Sequence, residues 1–108
     1  MYTVNRFDGT ANDTNVTDVT SAAIKDLTGS FTASDRHAVM VTNNSTTATL
    51  YIKVKSGTTE PTLTATNYHF KLAPGTEKTI QAGKAVKVWA INDTSPSANS
   101  IVTVVELR

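Results

Sequence analysis

The sequence predicts an all-β fold: an antiparallel β-sandwich of jelly-roll or Ig-like type, with six to eight strands and an extended N-terminal arm. Thr, Ser and Asn occupy one third of the 108 positions, with 20 Thr, 8 Ser and 8 Asn. Thr favours strands, whereas Ser and Asn favour turns. From residue 37 onward apolar and polar residues alternate, which is typical of half-buried strands. A small closed barrel is the alternative architecture.

The chain has the length of a single domain. Its composition changes near residue 36. Residues 1–35 are weakly patterned and locally acidic, and we expect them to form an N-terminal arm and peripheral strands. Residues 36–108 carry the regular alternation and should form most of the β-sandwich core. The acidic residues of the first part are Asp8, Asp13, Asp18, Asp26 and Asp35, against only Arg6 and Lys25 as bases.

The first regular strand is predicted at residues 37–41, and the polar run 42–47 that follows supplies turn residues. Residues 49–55 then read as a return strand, so the simplest interpretation is a hairpin. In this second strand one face is apolar and the other carries the stems of amphipathic side chains. The apolar positions are Leu50, Ile52 and Val54, and they alternate with Tyr51, Lys53 and Lys55.

Four more strands are predicted after the long loop at residues 56–67. They cover residues 68–72, 76–80, 85–91 and 101–107. Pro74-Gly75 suits a type II turn between the first two, because Pro is favoured at its second position and Gly at its third. The last strand has β-branched residues on both faces, which indicates a central position in its sheet.

The N-terminal third is harder to interpret. Residues 1–7 and 31–33 could add strands. Residues 19–27 fit no period well, and we favour a strand or an extended arm there over a helical turn at Ala22-Ala23-Ile24.

Several functional classes have no support in the sequence. The absence of Cys excludes a disulfide framework and a thiolate zinc site. A net charge of +1 provides no basic patch for nucleic acid, and no apolar run is long enough for a membrane helix. No nucleophile, paired-carboxylate or phosphate-binding motif is present. We therefore expect neither an enzyme nor a cofactor or metal site.

The aromatic residues are the best candidates for an interface. Tyr51 and Trp89 fall on the faces opposite the buried alternation, where they would be exposed unless a second sheet covers the same face, and interfaces are enriched in both residue types. The N-terminal arm could add a strand to the sheet edge of a neighbouring molecule. Its candidate contact residues are Tyr2, Val4, Arg6 and Phe7.

Five segments of the chain together form a recognisable pattern. They are residues 36–45 (RHAVMVTNNS), 50–53 (LYIK), 72–75 (LAPG) with Ile80, 86–90 (VKVWA) and 102–106 (VTVVE). These segments resemble small structural proteins of tailed-bacteriophage particles, in which a strand and turn of the form R-x-x-v-x-v-x-N-x-S precedes a v-y-v strand, a Pro-Gly turn, a v-x-v-x-A strand and a final v-x-v-x-E strand.

The resemblance implies a virion structural protein that is made in the host cytoplasm. The expected role is capsid decoration or cementing, with the major capsid protein or other virion proteins as partners and a homo-oligomer, for instance a trimer, as the assembly. A head–tail connector or tail-assembly component is an alternative. A third possibility is a carbohydrate- or receptor-binding module in which Tyr51 and Trp89 stack on sugar rings.

Overall fold

A computed structural model describes residues 14–32, 34–93 and 100–108 of the chain. These residues contain eight strands and no helix. The strands are β1 (Thr14–Val19), β2 (Lys25–Asp26), β3 (Ala38–Asn43), β4 (Leu50–Ser56), β5 (Phe70–Leu72), β6 (Glu77–Gln81), β7 (Val86–Asn92) and β8 (Ser100–Leu107).

The strands form two four-stranded antiparallel sheets that pack face to face. Sheet A has the order β1-β8-β3-β6, and sheet B has the order β2-β7-β4-β5. Consecutive strands alternate between the sheets, except that β4 and β5 are neighbours in sheet B. The predicted all-β sandwich is therefore confirmed at the level of two packed antiparallel sheets.

The main core lies between the sheets and follows the period-two pattern of the sequence. Alternate residues of each strand point inward, so a strand buries every second side chain. A fully buried Val, Leu or Ile stabilises the fold by about 1.5–3 kcal/mol. Sheet A contributes Val39, Val41, Ile80, Val102 and Val104 to this core, and sheet B contributes Leu50, Ile52, Leu72, Val88 and Ala90.

The predicted hairpin between the strands at 37–41 and 49–55 is wrong. The corresponding strands β3 and β4 lie in different sheets: β3 pairs with β6 and β8, while β4 pairs with β5 and β7. The connection crosses from one sheet to the other, and Asn43, fully buried at the end of β3, stabilises this crossing by donating to the carbonyls of Ala48, just before β4, and of Leu72, in β5. Local turn chemistry is the same for both arrangements, so it could not distinguish them.

The N-terminal third contributes to both sheets. β1 pairs with β8 at one edge of sheet A, and β2 pairs with β7 at one edge of sheet B. Val19 and Leu27 are fully buried in the main core, joined by Phe31. Residues 22–24 form no helical turn, and Phe31 and Thr32 belong to no strand, so the strand predicted at 31–33 is wrong for these two residues. Residues 1–7 and Ala33 lie outside the described residues.

The later strands agree with their predicted positions to within two residues. β8 lies between β1 and β3, which confirms its predicted central position. The turn before β6 contains Gly75 with a φ of +75°, a conformation that residues with a side chain rarely adopt and that a type II turn requires at this position.

Candidate interaction surface

The outer face of sheet B is covered by the chain itself. Leu63, in the long connection between β4 and β5, is 2% exposed and packs against Tyr51 and Trp89 on this face. Ile24 and Ile91 pack against the same cluster. Tyr51 is 9% exposed and Trp89 7%. These five side chains form a second, smaller hydrophobic core outside the sandwich.

Hydrogen bonds attach this connection to β4. The ammonium group of Lys53 donates to the carbonyl of Thr62 at 3.0 Å and to the side-chain oxygen of Asn67 at 2.7 Å. The backbone N–H of His69 donates to the carbonyl of Ile52, and Nδ1 of His69 accepts from the backbone N–H of Val54 at 3.0 Å. We call residues 57–69 the covering loop.

The residues predicted as an interface therefore divide into two groups. Tyr51 and Trp89 lie on the outer face of sheet B, but the exposure expected of them is not found because the covering loop buries both rings. Tyr68, whose ring lies 4.9 Å from that of Tyr51, is the more exposed aromatic residue at this site. A second group, Tyr2, Val4, Arg6 and Phe7, lies outside the described residues. The interface role of all six residues stays a prediction.

The outer face of sheet A presents an apolar surface. Val16 on β1 is 62% exposed and Ile101 on β8 is 47% exposed. The strand register places both on one face: Val16 lies opposite Thr103 and Asp18 lies opposite Ile101, so Val16 and Ile101 are diagonal neighbours. Half-buried Val105 and Met40 continue this face across β8 and β3, since they are cross-strand partners.

We call Val16, Met40, Ile101 and Val105 the sheet A patch. The predicted interface residues do not include this patch, although β8 carries apolar residues on both faces. Apolar residues on both faces predict a central strand, which is correct, but a central strand in a sandwich still has one face directed away from the core. The second face of β8 was thus the available signal for this surface.

A buried arginine joins the two sheets at one end of the sandwich. Arg36 precedes β3, and its guanidinium donates to the carbonyls of Ala82 at 3.1 Å, Gly83 at 2.7 Å and Val86 at 2.7 Å. Burial lowers the pKa of Arg36, and the negative charges of Glu106 and Asp26 oppose that shift. Because a guanidinium keeps its proton in proteins, Arg36 serves as a fixed multiple donor.

Glu106 is fully buried on the inner face of β8 and forms an ion pair with Arg108. Its Oε1 accepts from Nε of Arg108 at 2.9 Å. A carboxylate enclosed in this way is not accessible to a substrate, so its position indicates a structural role.

No group of three or more His, Cys, Asp or Glu side chains that could bind a metal ion is found in residues 14–32, 34–93 and 100–108. Within the same ranges there is no helix with the length and apolar character needed to cross a membrane. Comparisons of the chain with protein-family models, with curated proteins and with solved structures found no match.

Proposed function

We propose that this protein is a structural component of a bacteriophage particle: a capsid decoration protein that binds and stabilises the head lattice as a homo-oligomer. The observation that carries the proposal is the strand order of the two sheets, taken together with the resemblance of residues 36–107 to small tailed-phage virion proteins. A fold alone does not establish a function, so the proposal depends on the strand order and the sequence resemblance together.

The strand order supports a jelly roll rather than an Ig-like sandwich. In the Ig-like arrangement the first two strands lie in the same sheet. Here β1 and β2 lie in different sheets, and the chain continues to alternate until β4 and β5. Eight strands arranged as 1-8-3-6 and 2-7-4-5 are the pattern of a jelly roll, which is frequent among viral capsid proteins and also occurs in lectins and cupins.

The polar residues in the phage-like sequence pattern also support a shared architecture. Arg36, Asn43, Ser45 and Glu106 are the four polar letters of the phage-like pattern, and all four are buried. Arg36 and Asn43 bind backbone carbonyls, and Ser45 accepts from the backbone N–H groups of Thr47 and Ala48. The resemblance thus concerns residues that hold the fold, and it favours a shared architecture over a shared active site.

The sheet A patch suits contact with a protein lattice. It is apolar and it is exposed at Val16 and Ile101. Thr103 lies between its members on β8, and the carboxylate of Asp18, opposite Ile101, lies at its margin. The carbohydrate-binding alternative has less support, because Tyr51 and Trp89 are buried and therefore offer no ring face to a sugar.

Binding to capsids tests the proposal. Purified protein is mixed with undecorated heads, and the bound fraction is measured by sedimentation over a range of concentrations. We expect saturation at a fixed ratio to the major capsid protein. Met40→Lys should weaken binding at least about tenfold, since it places a charge in the patch, whereas Thr58→Lys, the same charge change in the covering loop, should not.

Two outcomes would contradict this proposal. Absence of saturable binding to heads would exclude the decoration role. Binding to isolated tails but not to heads would exclude it as well and would support the connector or tail-assembly alternative. Equal losses in Met40→Lys and Thr58→Lys would show that the sheet A patch is not the contact surface.

A further inference from the structure

The four sheet edges of the sandwich differ in how well they are protected against pairing with another strand. Short edge strands and charged residues are common means of protection. β2 has only two residues, β5 has three with Lys71 at its centre, and β6 carries Glu77 and Lys78. β1, in contrast, is the longest of the four with six residues, Thr-Asn-Val-Thr-Asp-Val, and Asp18 is its one charged residue.

The outer edge of β1, with which no described strand pairs, is continuous with the exposed part of the sheet A patch. Val16 lies in the middle of β1, and Ile101 is its diagonal neighbour on β8. These two are the most exposed large apolar side chains among the described residues. An open edge and an adjacent apolar surface together form a larger contact area than either would alone.

We propose that β1 pairs with β1 of a second copy of this chain, antiparallel and about a two-fold axis at Val16, so that the two copies of sheet A join into one continuous sheet. The contact is isologous, which is the commonest form of homo-oligomer interface. This pairing rests on the homo-oligomer of the proposed function and identifies the surface through which that oligomer forms.

The residues of β1 select this register. Directly opposed residues in a sheet lie on the same face. Val16 is on the outer face, so its partner in the second copy must also be an outer-face residue if the two sheet A patches are to lie on the same side of the joined sheet. Val16 opposite Val16 meets this condition and pairs the two apolar side chains. The alternative with Thr17 at the axis would place Val16 opposite the carboxylate of Asp18, which is unfavourable.

The charges of β1 are compatible with self-pairing in this register. Asp18 of one copy lies opposite Thr14 of the other, whose hydroxyl can donate to the carboxylate. The two Asp18 residues are four positions apart along the joined strands, about 13 Å, so they do not repel each other strongly. A two-fold contact of this kind closes as a dimer, in contrast to the trimer that the resemblance suggested.

Because the chain lacks Cys, a single introduced cysteine tests the axis directly. In Val16→Cys the two Cα atoms would be about 4.5–5.5 Å apart, within the range of a disulfide. Under mild oxidation of the full chain we expect Val16→Cys to form a covalent dimer at least about 100-fold faster than Thr58→Cys, because paired thiols have a millimolar effective concentration. The yield is read on a non-reducing gel.

The register has its own test. Thr14→Cys mixed with Asp18→Cys should cross-link, whereas each variant alone should cross-link no faster than Thr58→Cys. Light scattering of the unmodified protein should give a dimer mass. A monomer mass together with equal cross-linking of Val16→Cys and Thr58→Cys would overturn the proposal.

Another occupant of the edge would give a different result. If residues 1–13 occupied the edge of β1, deletion of residues 1–12 would be required before Val16→Cys cross-linked, and this outcome would also overturn the proposal. Capsid sedimentation separates this failure from failure of the proposed function. If the protein is a monomer and still binds capsids to saturation, the decoration role stands and only the β1 pairing is excluded.

Discussion

At the scale of single residues, the buried polar side chains determine how the chain passes between the sheets. Asn43 is the clearest case. Its side-chain N–H₂ donates to the carbonyls of Ala48 at 2.9 Å and Leu72 at 3.1 Å, and its Oδ1 accepts from the backbone N–H of Ser45 at 3.1 Å. One amide thereby joins the end of β3, the crossing to β4 and the end of β5.

We predict that Asn43→Ala lowers the free energy of unfolding by about 3 kcal/mol, because it leaves buried backbone groups without partners. Asn44→Ala is the matched control: Asn44 is exposed and its side chain binds only the hydroxyl of Thr103 among the contacts described, so the loss should be below about 1 kcal/mol. Urea denaturation measures both. Equal losses would show that the buried amide does not hold the crossing.

At the scale of elements, the covering loop determines the environment of the only tryptophan. Leu63 from this loop lies over Trp89 and Tyr51, so what would otherwise be an exposed aromatic face is a second core. The loop buries these rings although it contributes no strand to either sheet.

We predict that Leu63→Ala destabilises the protein by about 2–4 kcal/mol and shifts the fluorescence of Trp89 to longer wavelength, because the truncation removes apolar cover from a buried ring. Thr62→Ala, an exposed neighbour in the same loop, should leave the emission maximum unchanged. An unshifted spectrum in Leu63→Ala would mean that other residues cover Trp89.

At the scale of the whole molecule, distant parts of the chain meet in both sheets. β8 lies between β1 and β3, and β7 lies between β2 and β4, so both sheets need strands from the two halves of the chain. Among the described strands, β4 and β5 are the only consecutive pair that are neighbours in a sheet. The loop-closure entropy of these long-range pairings must be overcome before their contacts form.

We therefore predict slow folding, on the order of milliseconds to seconds, as in other β-sandwiches. Stopped-flow refolding followed by Trp89 fluorescence and by far-ultraviolet circular dichroism should give the same single phase, because neither sheet is complete without both halves of the chain. A microsecond phase that carries most of the signal would contradict this expectation.

The strands from β3 onward could be predicted from the sequence because alternation is a local property. In residues 49–55, for example, every second side chain is apolar, and this pattern specifies a half-buried strand wherever it is placed. The partner of that strand could not be predicted in the same way. Turn residues 42–47 are compatible with a hairpin and with a crossing between sheets, and the outcome depends on Asn43 reaching Leu72, which lies 29 positions away.

The candidate surface was likewise predictable from local sequence only in part. Tyr51 and Trp89 are on the outer face, as the alternation indicated, but whether an outer face is exposed depends on what packs over it. Leu63 covers one outer face, while Val16 and Ile101 remain exposed on the other. The apolar second face of β8 is a sequence signal for the exposed surface, but which outer face is covered depends on contacts between segments far apart in the chain.

Local propensity and the period of the apolar residues specify the all-β class of the fold, the positions of most strands and the central place of β8. Tertiary contacts decide which sheet each strand joins, which of the described aromatic residues are buried and which sheet edge pairs with no described strand. Those properties depend on long-range packing and on the hydrogen bonds of a few buried polar groups, and residues adjacent in the chain do not specify them.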